Sequence, residues 1–228
     1  MRRTLNVIRL QLINKGTFLW YPLMILGAAV VISILIYAMI PLDGPKYGGG
    51  GQAPLWYFFA IGMSAMTLTF PFSQAMSITR REFFFGTLLT AIIGSALMGV
   101  LFLIGGGIEM ATNGYGVNGY VFYLPWLWDA GPFGAFVVYF TLALFFFVVG
   151  FTGATIYKSW GQLVLIIVSI ALTLALVGLV FLATRLELWG HVGAAINDLG
   201  ALGIALWGLL VTAVLTGVSF LAFRRAIP

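Results

Sequence analysis

Runs of about 20 uncharged, apolar residues, separated by short clusters that hold nearly all the charge, constrain this chain more than anything else in its sequence. A helix rises about 1.5 Å per residue, so about 20 residues cross the ~30 Å hydrocarbon core of a bilayer. Six such runs can be drawn, at about 19–40, 54–76, 86–109, 133–156, 161–184 and 200–222. Closed β-barrels are the only other architecture that satisfies every backbone polar group in lipid. Their strands alternate between lipid-facing and lumen-facing residues, whereas Leu163 to Val168 is apolar without interruption. The expected fold is therefore all-α: a single polytopic membrane domain, 1–228, with six transmembrane helices and no internal repeat.

Composition excludes the soluble alternative. Only 7% of the 228 residues are charged and 62% are hydrophobic, whereas a soluble chain carries about a quarter charged residues. The mean hydropathy is +1.10. The chain has no cysteine, so disulfide, thiol and zinc-finger chemistry are absent from its repertoire.

Charge sidedness sets the orientation. Arg2, Arg3, Arg9 and Lys15 precede the first run, Arg80 and Arg81 follow the second, Lys158 follows the fourth, and Arg224 and Arg225 follow the sixth. These are nine of the eleven basic residues, leaving Lys46 and Arg185 on the other side. Acids reverse the bias: Glu82 shares the basic side, while Asp43, Glu109, Asp129, Glu187 and Asp198 lie on the far side or at its boundary. The positive-inside rule then puts both termini in the cytoplasm. The net charge of +5 is accounted for by topology and anionic headgroups, and nucleic acid is not an expected partner. The first apolar run is longer than a signal-peptide core, so it is read as a retained span.

The outward loops are 41–53, 110–132 and 185–199. Gly48 to Gly51 read as a flexible linker. The second loop carries Tyr115, Tyr120, Phe122, Tyr123, Trp126 and Trp128. Such rings favour the headgroup layer, and an interfacial anchor and a substrate-exit surface are both open readings.

Two cytoplasmic segments carry functional information. In 1–16, Leu5, Ile8 and Leu12 recur at helical spacing, with Arg2, Arg9 and Lys15 among the polar positions. That pattern predicts an amphipathic helix lying in the membrane interface. The second segment is the tight connection Ser77 to Gly86. Thr79 and Glu82 stand at capping-box spacing, beside Arg80, Arg81 and three consecutive phenylalanines, Phe83 to Phe85. Topology alone asks for the arginines but not for a cap, a glutamate and a phenylalanine cluster together, so 77–85 is read as a short docking helix at the membrane surface.

The run Thr79-Arg80-Arg81-Glu82-Phe83, with Gly86 after it, resembles the Ser/Thr-Arg-Arg-x-Phe-x-x-Gly turn of ABC-2 type permeases, the transmembrane subunits of ATP-binding-cassette transporters. The amphipathic N-terminus and the six spans resemble that family in topology. The resemblance implies that 77–85 is the coupling helix seated in a groove of a cytoplasmic ATP-binding subunit, with Arg80, Arg81, Glu82 and Phe83 as contact residues. It further implies alternating access in an exporter built from two permeases, a homodimer or a pair of similar chains, in a bacterial inner membrane. An amphipathic or hydrophobic cargo, such as a peptide, drug or lipid-like molecule, suits a path with few charges.

No nucleotide site is encoded here. Gly153 to Ser159 lacks the second glycine of a phosphate-binding loop and falls at the end of a span. ATP and magnesium are therefore expected on a partner, and no cofactor or enzymatic activity on this chain. His191 stands alone in an outward loop, a poor basis for a metal site. Three polar residues are candidates for a substrate path. Ser73 and Gln74 lie beside Pro71 at the inner end of the second run, where a kink is expected. Glu109 follows Gly105 to Gly107, which could break the helix, and at the outer boundary it is expected to reach water. An ATP-independent channel or secondary transporter, and a membrane scaffold or sensor that recruits a cytoplasmic partner, are the alternative readings.

Overall fold

The computed structural model describes residues 16–42 and 44–224, together with Val7 and Gln11, the side chains of Phe18 and Leu19 excepted. The expected interfacial helix at 1–16 thus falls mostly outside the described residues. The two described positions within it, Val7 and Gln11, are helical, one turn apart and buried, and Gln11 Nε2 donates to Thr87 Oγ1 at 2.8 Å.

The fold is all-α, with five helices among the described residues long and apolar enough to cross a membrane. A π-helical turn, Gly16–Trp20, leads into α1, Tyr21–Met39. The next crossing is built in three pieces: α2, Ala53–Ser64, a π-helical turn, Ala65–Thr69, and α3, Phe70–Ala75. Proline lacks an N–H and its ring clashes with the preceding turn, and the wider π turn just before Pro71 accommodates both. The kink expected at Pro71 takes this form. Helix α4 spans Arg80–Ala111, short α5 Pro125–Trp128, α6 Gly131–Arg185 and α7 Trp189–Phe223.

The 55 residues of α6 are too many for one crossing, and the helix is broken at Gly161 (φ 86°, ψ 176°) into arms 131–160 and 162–185. A side chain would disfavour that φ, so glycine marks the hinge. Gly200 (φ 61°, ψ 178°) breaks α7 in the same way, leaving 189–199 as a separate helical piece before the long arm 201–223. The expected loop 185–199 is thus largely helical.

The first arm of α6 is the hub, packing on α2, α4 and α7. Its crossing with α2 is backbone-close: a Cβ at Gly62 would lie 2.1 Å from the Phe147 carbonyl, and one at Gly150 2.1 Å from that of Phe59. Small residues at a crossing let helices gain dispersion contacts, the main attraction left once lipid replaces water. Hydroxyls inside these helices bond back one turn, as Thr152 Oγ1 does to Val148 O (2.7 Å) and Thr155 Oγ1 to Phe151 O (2.7 Å). All the buried residues of α6 lie in this first arm. The second arm leaves Leu163, Leu172, Leu174, Leu176 and Leu179 more than 60% exposed. A face of that size would not persist in water, and it identifies lipid as the surrounding solvent.

On the side expected to face outward, called the outer side, the loops fold back on the helices. Lys46–Tyr47 (β1) and Gly119–Tyr120 (β2) form a two-residue parallel pair, joining the first and second outward loops. The glycine run is not a free linker: Gly49–Gln52 is a 3-10 turn, and a Cβ at Gly50 would meet Ser33 Oγ at 2.3 Å.

Candidate functional site

The turn between α3 and α4, on the side expected to face the cytoplasm, closes with two capping motifs separated by one residue. Helix α3 ends in a Schellman arrangement: Ile78 N donates to Ser73 O (3.1 Å) and Ser77 N to Gln74 O (3.0 Å), with Ser77 left-handed at φ 57°. Gln74 Nε2 adds a bond to Ile78 O at 3.0 Å, and Ser73 Oγ donates to Phe70 O at 2.7 Å. Thr79 then opens α4 with a complete capping box. Its Oγ1 accepts from Glu82 N (3.3 Å), while Glu82 Oε2 accepts from Thr79 N (3.1 Å) and Thr79 Oγ1 (2.7 Å).

These bonds reassign several expected site residues. Ser73 is fully buried with its Oγ on Phe70 O, and half-buried Gln74 has its Nε2 on Ile78 O, so both side chains help to close the end of α3. The segment 77–85 is not a separate short helix, because α4 begins at Arg80 and runs unbroken to Ala111. Phe83 is fully buried, so it cannot offer its ring to a docking partner. It packs instead with Phe70 (5.3 Å between centroids) and Phe223 (6.1 Å), while Phe84 meets Phe151, Phe220 and Phe223. This aromatic cluster ties the turn to α6 and to the last turn of α7.

What the turn presents outward is charge. Arg81 is exposed, with its guanidinium 5.8 Å from the Phe85 ring centre, and Arg80 is half-exposed, donating from Nη1 to Arg224 O at 2.8 Å. Arg80, Arg81, Phe85, Phe220, Phe223 and Arg224 together line a recess of about 520 Å³. Cations at a helix N-terminus oppose its macrodipole, so these arginines do not serve the stability of α4. They give this end of the bundle a positive face above an apolar floor. The bond to Arg224 also puts the end of α7 beside the turn.

Glu109 is the largest departure from expectation. It is wholly buried, not solvated, and three consecutive backbone N–H groups converge on its carboxylate. Val121 N donates to Oε1 at 3.0 Å, and Phe122 N and Tyr123 N donate to Oε2 at 2.9 and 2.7 Å. Such a nest matches an acceptor-only carboxylate, leaving no unpaired negative group to face a cargo. Counting from Arg80, Glu109 lies roughly 44 Å along α4 at 1.5 Å per residue, beyond the ~30 Å hydrocarbon core. It therefore belongs to a folded outer cap. The glycines before it do not break the helix; they make room for the cap. A Cβ at Gly105 would fall 2.5 Å from the Phe122 ring, and one at Gly106 2.4 Å from the Trp128 ring.

The cap is closed by further bonds. Trp128 Nε1 (3.1 Å) and the Tyr139 hydroxyl both donate to Phe122 O, and Lys46 Nζ donates to Tyr37 O at 2.9 Å. Burial, reinforced by the nearby Glu109 carboxylate, pushes the Tyr115 phenol up to about 12. Loop residues Val121–Tyr123 and Trp128 thus form a packed lid, while Trp126 stays exposed. Sequence reasoning missed this site because a backbone nest has no side-chain signature. His191 is exposed, and no cluster of metal-ligating residues occurs among the described residues. No family model matches the chain, and no curated protein or solved structure does.

Proposed function

We propose that this chain is the transmembrane permease subunit of an ABC exporter. In this reading it crosses a bacterial inner membrane six times with both termini in the cytoplasm, and pairs with a second copy or a similar chain. A separate cytoplasmic subunit binds ATP and magnesium. The cargo is amphipathic or hydrophobic, in keeping with a bundle that has few buried charges.

The observation that carries the reading is the construction of the turn. Two interlocked caps and a buried aromatic cluster hold residues 73–86 as a stiff knob, with Arg80 and Arg81 directed to its surface. A stiff knob converts a push from outside into movement of whole helices, which a flexible loop would absorb. Helices α3 and α4 meet in the turn itself, and α7 is joined to it through Phe223 and the Arg80–Arg224 bond. Closure of an ATPase groove around the knob would therefore move three crossings together. Phe83 has its part inside, keeping the knob rigid, while Arg80, Arg81 and the cap formed by Thr79 and Glu82 face the partner.

Co-purification tests this. Wild-type chain from its native membrane should bring down an ATP-binding polypeptide, and Arg80→Glu with Arg81→Glu should lose it while keeping its yield and topology. The seven other cytoplasmic basic residues suffice to hold the orientation. Recovery of no ATP-binding chain with the wild type, or undiminished recovery with the double variant, removes the proposal in favour of a channel or a scaffold.

A further inference from the structure

Arg224 lines two spaces at once. One is the arginine recess already described. The other is a wedge of about 870 Å³ at the cytoplasmic end, where the second arm of α6 splays away after Gly161. Its walls are Ile156, Trp160, Val164, Val168, Val218 and Leu221, with Arg224 at its mouth.

We propose that this paired space binds one anionic glycerophospholipid, its phosphate held by Arg80, Arg81 and Arg224 and an acyl chain lying in the wedge. Three observations converge on that chemistry. First, among the described residues no carboxylate pairs with any of the three arginines: Arg80 bonds a backbone carbonyl, Arg81 lies over Phe85, and Glu82 turns its Oε2 to Thr79. Three guanidinium groups beside a helix N-terminus, which adds further positive field, form a strong site for a phosphate. Second, Arg224 forms part of the wall of both the charged recess and the apolar wedge, so a charged and an apolar space stand side by side, as a phospholipid's head and tail do. Third, the depth is right. The arginines stand at the first turn of α4 and the last of α7, at headgroup level, and the wedge runs inward along the crossings. Trp160 sits at the mouth, where an amphipathic ring favours the interface.

Seating a lipid there gives the splayed arm a packing partner and sets an anion beside the docking turn. The proposal does not require an ATP-binding partner, and Arg224 lies outside the docking segment, so the two can fail separately.

The test is native mass spectrometry of the full chain in mild detergent, titrated with phosphatidylglycerol, with phosphatidylcholine of the same acyl chains, and with inorganic phosphate. Each basic residue near an anionic surface is worth about 1 kcal/mol, or about fivefold in affinity. Phosphatidylglycerol should bind in preference to phosphatidylcholine. Arg224→Gln should weaken it by about fivefold, and Arg224→Lys should largely restore it. Val168→Phe, which fills the wedge, should weaken phosphatidylglycerol without affecting inorganic phosphate. Equal retention of the two lipids overturns the proposal, as does indifference to both Arg224→Gln and Val168→Phe. Displacement of the lipid by phosphate alone, regardless of the wedge, would make this a free-anion site and overturns it too.

Discussion

The two ends of α4 are held by opposite kinds of chemistry. At the end expected to be cytoplasmic the caps of the turn are local, Ser73, Gln74, Ser77, Ile78, Thr79 and Glu82 bonding within ten residues, while Arg80 reaches across to Arg224 O. Aromatic packing then fixes this self-contained unit to the bundle. At the outer end Glu109 reaches 12 to 14 residues along the chain to gather three N–H groups, Tyr139 reaches 17 residues to Phe122 O, and Tyr37 reaches 83 residues to Tyr120 O. The difference teaches where each end is vulnerable. A local unit tolerates loss of one bond because its neighbours remain in place by chain connectivity. A cap assembled from distant segments depends on the group at its centre.

That contrast orders the mutational effects. Glu109→Gln should be the most damaging, since it turns one acceptor oxygen into a donor that faces N–H groups in a closed site. We expect a loss of about 3 kcal/mol in thermal or denaturant unfolding, the range for breaking a buried charge-assisted cluster. An unaltered unfolding curve would mean that the cap does not rest on the nest. Phe83→Ala comes next. Truncating a phenylalanine in a water-soluble core costs about 3–5 kcal/mol. Here the bilayer replaces water as the competing solvent, so only packing is lost, and we expect about 2 kcal/mol. Thr79→Ala removes one half of the capping box and should cost about 1 kcal/mol, with no change in protease resistance of the outer loops. Arg81→Gln should change stability by less than about 0.5 kcal/mol, as exposed substitutions do, while reducing recovery of the ATP-binding partner. A large loss of stability from Arg81→Gln would show that the arginine serves the fold and not the surface.

The same contrast explains what could be read from the sequence. Thr79 and Glu82 were legible as a cap because their partnership is a spacing of three residues, visible in the string. The long apolar helices were legible because bilayer thickness imposes a length on such runs, and Gly161 breaks α6 where the fourth run was expected to give way to the fifth. Glu109 was not legible. Its partners are backbone N–H groups, which every residue but proline carries, so nothing at Val121, Phe122 or Tyr123 marks them as ligands. Gly105 and Gly106 point to a break when read as local conformational preference, but their role is steric and involves rings 17 and 22 residues onward. Phe83 matched a docking motif by position, and only the packing of Phe70 and Phe223 against it shows that the ring faces inward.

The central claim is that the cytoplasmic turn, and not the outer cap, is where an ATP-binding subunit engages. Because the chain has no cysteine, single substitutions give unambiguous cross-linking sites. Met76→Cys places a thiol at an exposed position beside the turn (56% accessible), and Trp126→Cys places one on the outer cap (47%). In native membranes treated with a short bifunctional thiol–amine reagent, the adducts would then be probed with a photoreactive ATP analogue. The account predicts a nucleotide-labelled adduct from Met76→Cys and none from Trp126→Cys. Absence of any labelled adduct from Met76→Cys, or an equal one from Trp126→Cys, would contradict it.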